Sequence, residues 1–141
     1  HSMGEAAFRF LGYKFTKIAF DFSNVNPEEE MSVDISTSGT FIPKQRKYEL
    51  KFVFTATSTQ RDEKLIEIEC LSQFVFVNEL TLDEIPSYFY PNSIAIVFPY
   101  VRAFISSVSI QAGIPPIVLP TYNLSVLQED LKKNTHVVEN G

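Results

Sequence analysis

From Tyr48 to Phe76 apolar residues recur at every second position, and this period limits what the middle of the chain can be. Tyr48, Leu50, Phe52, Phe54 and Ala56 fall on one face, with Glu49, Lys51, Thr55 and Thr57 opposite. After a polar turn from Ser58 to Glu63, the residues Ile66, Ile68, Cys70, Phe74 and Phe76 share a face again. A period of two is that of a strand with one covered side, so the two segments predict an antiparallel pair with one apolar and one mixed face. The mixed face of the second strand carries Glu67 and Glu69, but also Leu65, Leu71 and Val75. A wetted face would hold fewer apolar residues, so something is expected to pack there.

Upstream, Phe8 to Phe22 is rich in aromatic and β-branched residues. Its apolar phase slips twice, which predicts a strand with bulges near Gly12 and near Lys17. Ser23 to Glu30 reads as a turn. Met31, Val33 and Ile35 alternate with Ser32, Asp34 and Ser36, a further half-buried strand, broken by Gly39 and Pro43 before the basic turn Lys44 to Lys47. Downstream, Thr81-Leu82-Asp83-Glu84 fits a capping box, opening a short helix that stops near Pro86. Asn92 can cap a longer helix to Ala112, with Gly113 as its stop and a kink at Pro99. Val97, Val101, Phe104, Ile105 and Val108 form its apolar stripe. Ile114 to Tyr122 holds Pro115, Pro116 and Pro120 among apolar residues and reads as an extended loop. Asn123 caps a last helix with Leu124, Leu127 and Leu131 on one side, and Thr135 onward reads as a polar, frayed tail. The expected architecture is α+β, a four-stranded antiparallel sheet followed by a long helix, a Pro-rich loop and a C-terminal helix. One domain over residues 3–141 accommodates it, with His1 and Ser2 read as an expression remnant and about 135–141 as flexible.

Composition narrows the function classes. A net charge of −5 disfavours a nucleic-acid groove, which needs clustered Lys and Arg. A single Cys excludes a disulfide framework within the chain and fits a reducing compartment. Neither a secretion signal nor a membrane insertion is indicated, so a cytoplasmic protein is expected. Thirteen Phe and six Tyr without a Trp can fill a core or line an apolar binding surface. Catalytic constellations are thin. Cys70 with His136 could be imagined as nucleophile and base, but Cys70 sits on the apolar face of a strand, where a structural thiol is the expected reading. Glu28, Glu29 and Glu30 form a run in a turn, and Glu67 with Glu69 offer either a contact for a basic partner or plain surface charge. No Gly-rich phosphate loop and no zinc-ligand spacing occur. The expectation is a chain without enzymatic activity, cofactor or metal.

The stretch Pro91-Asn92, Phe98-Pro99-Tyr100-Val101-Arg102, Gly113, Pro116, Leu119-Pro120 and Asn123 resembles the SecB family of export chaperones. Phe15-Thr16-Lys17-Ile18-Ala19-Phe20-Asp21 looks like that family's first strand, and Tyr48 to Thr57 and Leu65 to Phe76 like its third and fourth. The likeness spans about Phe8 to Leu131. There are departures. Ser93 to Val97 lengthens the spacing between Pro-Asn and Phe-Pro-Tyr, and Glu28 to Glu30 stand where other members carry aromatic residues. Gln73 and Phe74 replace a Gly pair. Near Lys17 the acidic residue that engages the motor SecA is missing, and Asp21 and Glu69 are the nearest matches to its other acidic contacts.

The resemblance implies an ATP-independent chaperone, a dimer of dimers that holds unfolded polypeptides or preproteins in apolar grooves, for export or otherwise. Polypeptide-binding residues would be Met31, Val33, Ile35, Phe41, Phe74, Phe76, Ile114, Ile117, Val118 and Leu119. For Phe74 and Phe76 a place in the core is the competing reading. Leu65, Leu71, Val75, Val97, Val101, Phe104, Ile105 and Val108 would form the oligomer interface. Asp21, Glu67 and Glu69 would be acidic partner contacts. SecA would be a partner only through these, and an antitoxin is the other partner the family offers. A dedicated adaptor that recognises one peptide is the alternative function. Arg102 is expected in a buried or interface ion pair.

Overall fold

The computed structural model describes residues 7–23, 30–114 and 124–139. Strands β1 (Phe8–Phe20), β2 (Met31–Ile42), β3 (Lys47–Ser58) and β4 (Lys64–Phe76) are followed by helix α1 (Phe89–Gln111), helix α2 (Leu124–Lys133) and strand β5 (Thr135–Val137). They form one sheet in the order β1-β4-β3-β2-β5. The sheet therefore has five strands, one more than the alternation predicts. Thr135–Val137, expected as frayed tail, pairs in parallel with Gly39–Phe41. Three residues carry too little periodicity to reveal a strand. What places β5 is α2, which packs on β2 and α1 and delivers the chain to the outer edge of β2.

The bulges in β1 fall where the sequence slips. Register shifts separate Phe10 from Gly12 and Phe15 from Lys17. Gly12 has φ 139°, a backbone region that side chains rarely adopt. Without the bulges, Lys14 and Thr16 would follow Phe8 and Phe10 onto the apolar face. With them, Phe8, Phe10, Tyr13, Phe15, Ile18 and Phe20 stand opposite Phe76, Phe74, Ser72, Cys70, Ile68 and Ile66 of β4. That face is continued by Tyr48 to Ala56 on β3 and by Ile35, Thr37, Gly39 and Phe41 on β2.

Helix α1 lies on this face. It begins at Phe89, three residues ahead of Asn92, because Pro91 in the first turn has no N–H to leave unpaired and so starts the helix without cost. Gly113 at φ 82° ends it: Ile114 N–H donates to Ser109 C=O (3.2 Å) and Gly113 N–H to Ile110 C=O (3.1 Å), the paired bonds of a Schellman stop. The Thr81–Glu84 box closes one 3₁₀ turn over Leu82–Glu84. Phe89 is the hub of the aromatic core, with ring centroids 4.7 Å from Tyr48 and 4.9 Å from both Phe8 and Phe76. By length and composition α1 is also apolar enough to cross a membrane; here Val97, Val101 and Ile105 are buried against the core.

Gly39 is required for packing. A Cβ there would overlap the Tyr48 ring and hydroxyl. That hydroxyl is hydrogen-bonded to Thr135 Oγ1 (2.7 Å), which ties β3 to β5, and burial holds it well above the ordinary tyrosine pKa. Gly39→Ala should therefore cost about 1–3 kcal/mol by overpacking, measured by urea denaturation. An unchanged midpoint would show that Tyr48 moves aside freely.

Candidate functional site

The large buried side chains are accounted for by the chain's own core. Ile35, Phe41, Phe74 and Phe76, expected among the polypeptide-binding residues, are at most 5% exposed. Phe41 and Phe76 meet edge to face at 5.8 Å, and Phe74 packs on Phe10 and Phe89. They are core, because the same alternation that gives a strand an apolar face also feeds the helix that covers it. Val97, Val101 and Ile105 are likewise fully buried under the sheet, which removes them from the expected oligomer interface. Phe104 and Val108 beside them remain half-buried.

Uncovered apolar surface lies instead along β1 and the outward side of α1. Among the described residues β1 is an edge strand, paired only with β4. Tyr13 is 43% exposed, Ile18 52%, Tyr100 40% and Ile110 60%. Tyr13 and Tyr100 belong to an aromatic run in which Tyr13 stacks on Tyr100 at 4.4 Å, Phe10 on Tyr100 at 5.8 Å and Phe15 on Phe104 at 4.2 Å. The helical repeat puts Pro99, Ala103 and Ile110 on the exposed side of α1, while Ile96 is half-buried against the core. In the whole helix only Arg102 is charged. It is exposed rather than buried, with its guanidinium 4.8 Å from the centre of the Phe98 ring, so the expected ion pair is replaced by a cation–π contact.

A second apolar site opens at the other end of β1. Phe20, Ile66, Ala56 and Val33 stand in one row across the four long strands. The two inner residues are fully buried and the outer two are not. Met31 and Phe22 extend the half-buried margin. Ile114, one residue past the stop of α1, is half-buried too. Ile117, Val118 and Leu119 lie outside the described residues, as do Glu28 and Glu29.

The opposite face of the sheet is mixed. Leu65 is covered within the chain. Leu71 is flanked in register by Lys14 and Lys51, and Val75 by Arg9 and Lys47. The aliphatic stems of such cations can cover a leucine while their charges stay wet, which explains apolar residues on a face that no element packs against among those described. Glu67 Oε1 lies 3.1 Å from Lys17 Nζ and 3.4 Å from Lys64 Nζ, and Glu69 Oε1 3.1 Å from Lys51 Nζ. Asp21 accepts hydrogen bonds from the Ser23 hydroxyl (2.7 Å) and amide (3.1 Å), which hold its pKa below the ordinary value. Each expected acidic contact thus already has a partner within the chain. Cys70 Sγ is buried 3.9 Å from Ser72 Oγ, and burial raises its pKa. β3 and β2 lie between β4, which carries Cys70, and β5, which carries His136. The two cannot act together.

This architecture and surface match a known family. Residues 16–134 fit the family described as SecB, preprotein translocase subunit SecB. The chain belongs to the SecB family. A protein-export protein SecB of Thiobacillus denitrificans is 28% identical over 99 residues, which span 70% of this chain and 64% of that protein. An uncharacterised protein of Methanocaldococcus jannaschii is 27% identical over 137 residues, 92% of this chain and 87% of its own length. Among solved structures, the SecB-like chaperone Rv1957 of Mycobacterium tuberculosis, in complex with a peptide from the HigA1 antitoxin, shares the fold at a TM-score of 0.57. Its sequence is 13% identical, over 84% of this chain and 87% of that one. The family is one of SecB-like chaperones, and this member is a distant one.

The ion pairs on the mixed face carry a pH signature. A hydrogen bond from the Lys17 ammonium, aided by the charges of Lys17 and Lys64, holds the Glu67 pKa below its ordinary 4.5. A depressed carboxylate adds stability that is present above the unfolded-state pKa and lost as pH falls through the folded one. Carbon-detected titration should place Glu67 below 4.5 at low salt, moving upward as salt screens the lysines. A midpoint at or above the ordinary value would mean the pairs do not persist in solution.

Proposed function

We propose that this SecB-family chain is an ATP-independent chaperone that holds extended, non-native segments of other polypeptides and works as an oligomer of at least two copies. The observation that carries this is the uncovered apolar run of Tyr13, Ile18, Tyr100 and Ile110 on an edge strand and the helix beside it. An exposed helix side whose single charge is Arg102 needs a cover, and the self-complementary cover for an edge strand and its helix is a second copy. We assign this surface to assembly, together with half-buried Phe104 and Val108, and a dimer of dimers is its family form.

We assign clients to the margin at the C-terminal end of α1, around Met31, Val33 and Ile114, with Ile117, Val118 and Leu119 following in sequence. One buried Leu or Phe anchor contributes about 1.5–3 kcal/mol, while ordering a disordered segment costs about 2–5 kcal/mol. A single margin of this size therefore binds weakly. Several margins on one oligomer raise the effective concentration of the next segment to about millimolar, so long clients bind far more tightly than short ones. The cytoplasm, where Cys70 remains a thiol, suits this role. Service in preprotein export belongs to the same proposal. Contact with SecA through Asp21, Glu67 and Glu69 does not, because a basic partner would first have to displace Lys17, Lys51 and Lys64.

The test is suppression of aggregation of several unrelated unfolded clients, followed by light scattering. Near-stoichiometric chain should suppress it equally with and without ATP, and Val33→Asp with Ile114→Asp should raise the amount needed several-fold. Failure with every client, combined with tight binding of one peptide, would favour a dedicated adaptor. For placement of the site, titration calorimetry with one long and one short client should show Leu119→Asp weakening both while the oligomer persists. Equal affinity in all pairings would remove the loop and the multivalency from the account.

A further inference from the structure

The cations of the mixed face are not distributed evenly. Lys17, Lys51 and Lys64 are paired with Glu67 and Glu69, and Arg61 with Glu63. At the other end of the sheet stand Arg9 at the start of β1, Lys44 and Arg46 in the β2–β3 turn and Lys47 at the start of β3. Among the described residues none of these four joins an ion pair, although they are four of the twelve Lys and Arg in a chain of net charge −5. The nearby carboxylates are Glu49, hydrogen-bonded by Gln73, and Glu79, exposed beyond β4.

Between the cations lies a depression of about 260 Å³ lined by Arg9, Arg46, Val75, Phe76 and Val77. Arg46 is fixed over it by three bonds. Its N–H donates to Pro43 C=O (3.0 Å), its C=O accepts from Phe76 N–H (2.7 Å), and its Nη1 donates to Val77 C=O (2.7 Å). Among the described residues it is also one of two non-glycine residues at positive φ, 56°. The backbone of Arg46 is fixed by two of these bonds and its guanidinium is oriented by the third, and the remaining N–H donors fit a carboxylate.

We propose that this end of the sheet is a second docking surface, for an acidic peptide segment that sets one large apolar side chain into the depression and its carboxylates on Arg9, Arg46, Lys44 and Lys47. Charge complementarity selects the anion and the Val75–Val77 floor selects the apolar residue. The floor is aliphatic apart from the buried Phe76, so it offers no exposed ring on which a base could stack. The surface lies on the opposite face of the sheet from the client margin and reads the opposite charge from the basic segments that an acidic chain attracts in general. It stands or falls apart from the chaperone reading.

The experiment uses the full chain and a fluorescein-labelled dodecapeptide of alternating Glu and Leu, with Gln and Lys versions of the same peptide as controls. Fluorescence anisotropy should show the Glu peptide binding at least about ten-fold more tightly than the Gln peptide, with most of that advantage lost between about 20 and about 300 mM salt. Arg9→Gln with Arg46→Gly should weaken the Glu peptide by about ten-fold or more and leave the Lys peptide unchanged; glycine accepts the positive φ, so the turn is not strained by the change. Should the double variant melt early, Arg9→Gln alone should still weaken the Glu peptide by about three-fold. Equal affinity of wild type and variants for the Glu peptide would overturn the proposal. So would loss of that binding in Val33→Asp, which would put the peptide in the client margin. Tighter binding of a single-stranded DNA dodecamer or of phosphatidylserine vesicles at the same salt would overturn the assignment to a peptide.

Discussion

A helix of 23 residues with one charged side chain offers water few polar groups, and the rest of the structure follows from how it is covered. The sheet takes one side of α1. For that, β1 must present aromatic residues along its whole length, and two bulges reset its alternation to achieve this. Tyr13 and Phe15 reach the helix side only because the strand slips by one residue at Gly12, and the second slip before Lys17 returns Ile18 and Phe20 to that side. α2 packs on another part of α1, and Tyr100, Ala103 and Ile110 are left exposed among the described residues.

The second constraint is at the other edge of the sheet. β2 would be an open edge without β5, and β5 is held by a chain of polar contacts. Thr37 Oγ1 donates to Leu127 C=O (2.8 Å), Gly39 N–H to Asn134 C=O (3.1 Å), and Tyr48 is bonded to Thr135. Among the described residues β5 covers one end of the β2 edge, at Gly39–Phe41, while β1 is left open along its length and available for pairing.

Much of this is legible in the sequence. The period-two faces of β3 and β4, both bulges, the 3₁₀ turn at Thr81–Glu84 and the Gly113 stop follow from local rules, because each rests on a residue type whose backbone preference is strong. What local rules cannot say is which stripe of a helix with a single charge and apolar residues on several sides meets the sheet. Val97, Val101 and Ile105 read as interface and are core, while Tyr100 and Ile110 had no reason to stand out until the helix was docked. The same ambiguity sent Ile35, Phe41, Phe74 and Phe76 to a groove when the covering helix needed them. β5 was missed because its partner is distant in sequence and its own pattern is three residues long. Met31, Val33 and Ile114 remain at a half-buried margin, where the alternation of β2 runs past the cover that the helix provides.

The account turns on the claim that one sheet cannot cover α1, so that the exposed run on β1 and α1 is closed by another copy. Sedimentation equilibrium of the chain alone, at tens of micromolar and without client, measures this directly. The account predicts a mass of at least twice the 16.0 kDa of one chain, falling toward one chain when Ile18 and Tyr100 are both replaced by glutamate while the circular dichroism spectrum is kept. A stable 16.0 kDa species for the unaltered chain would contradict it.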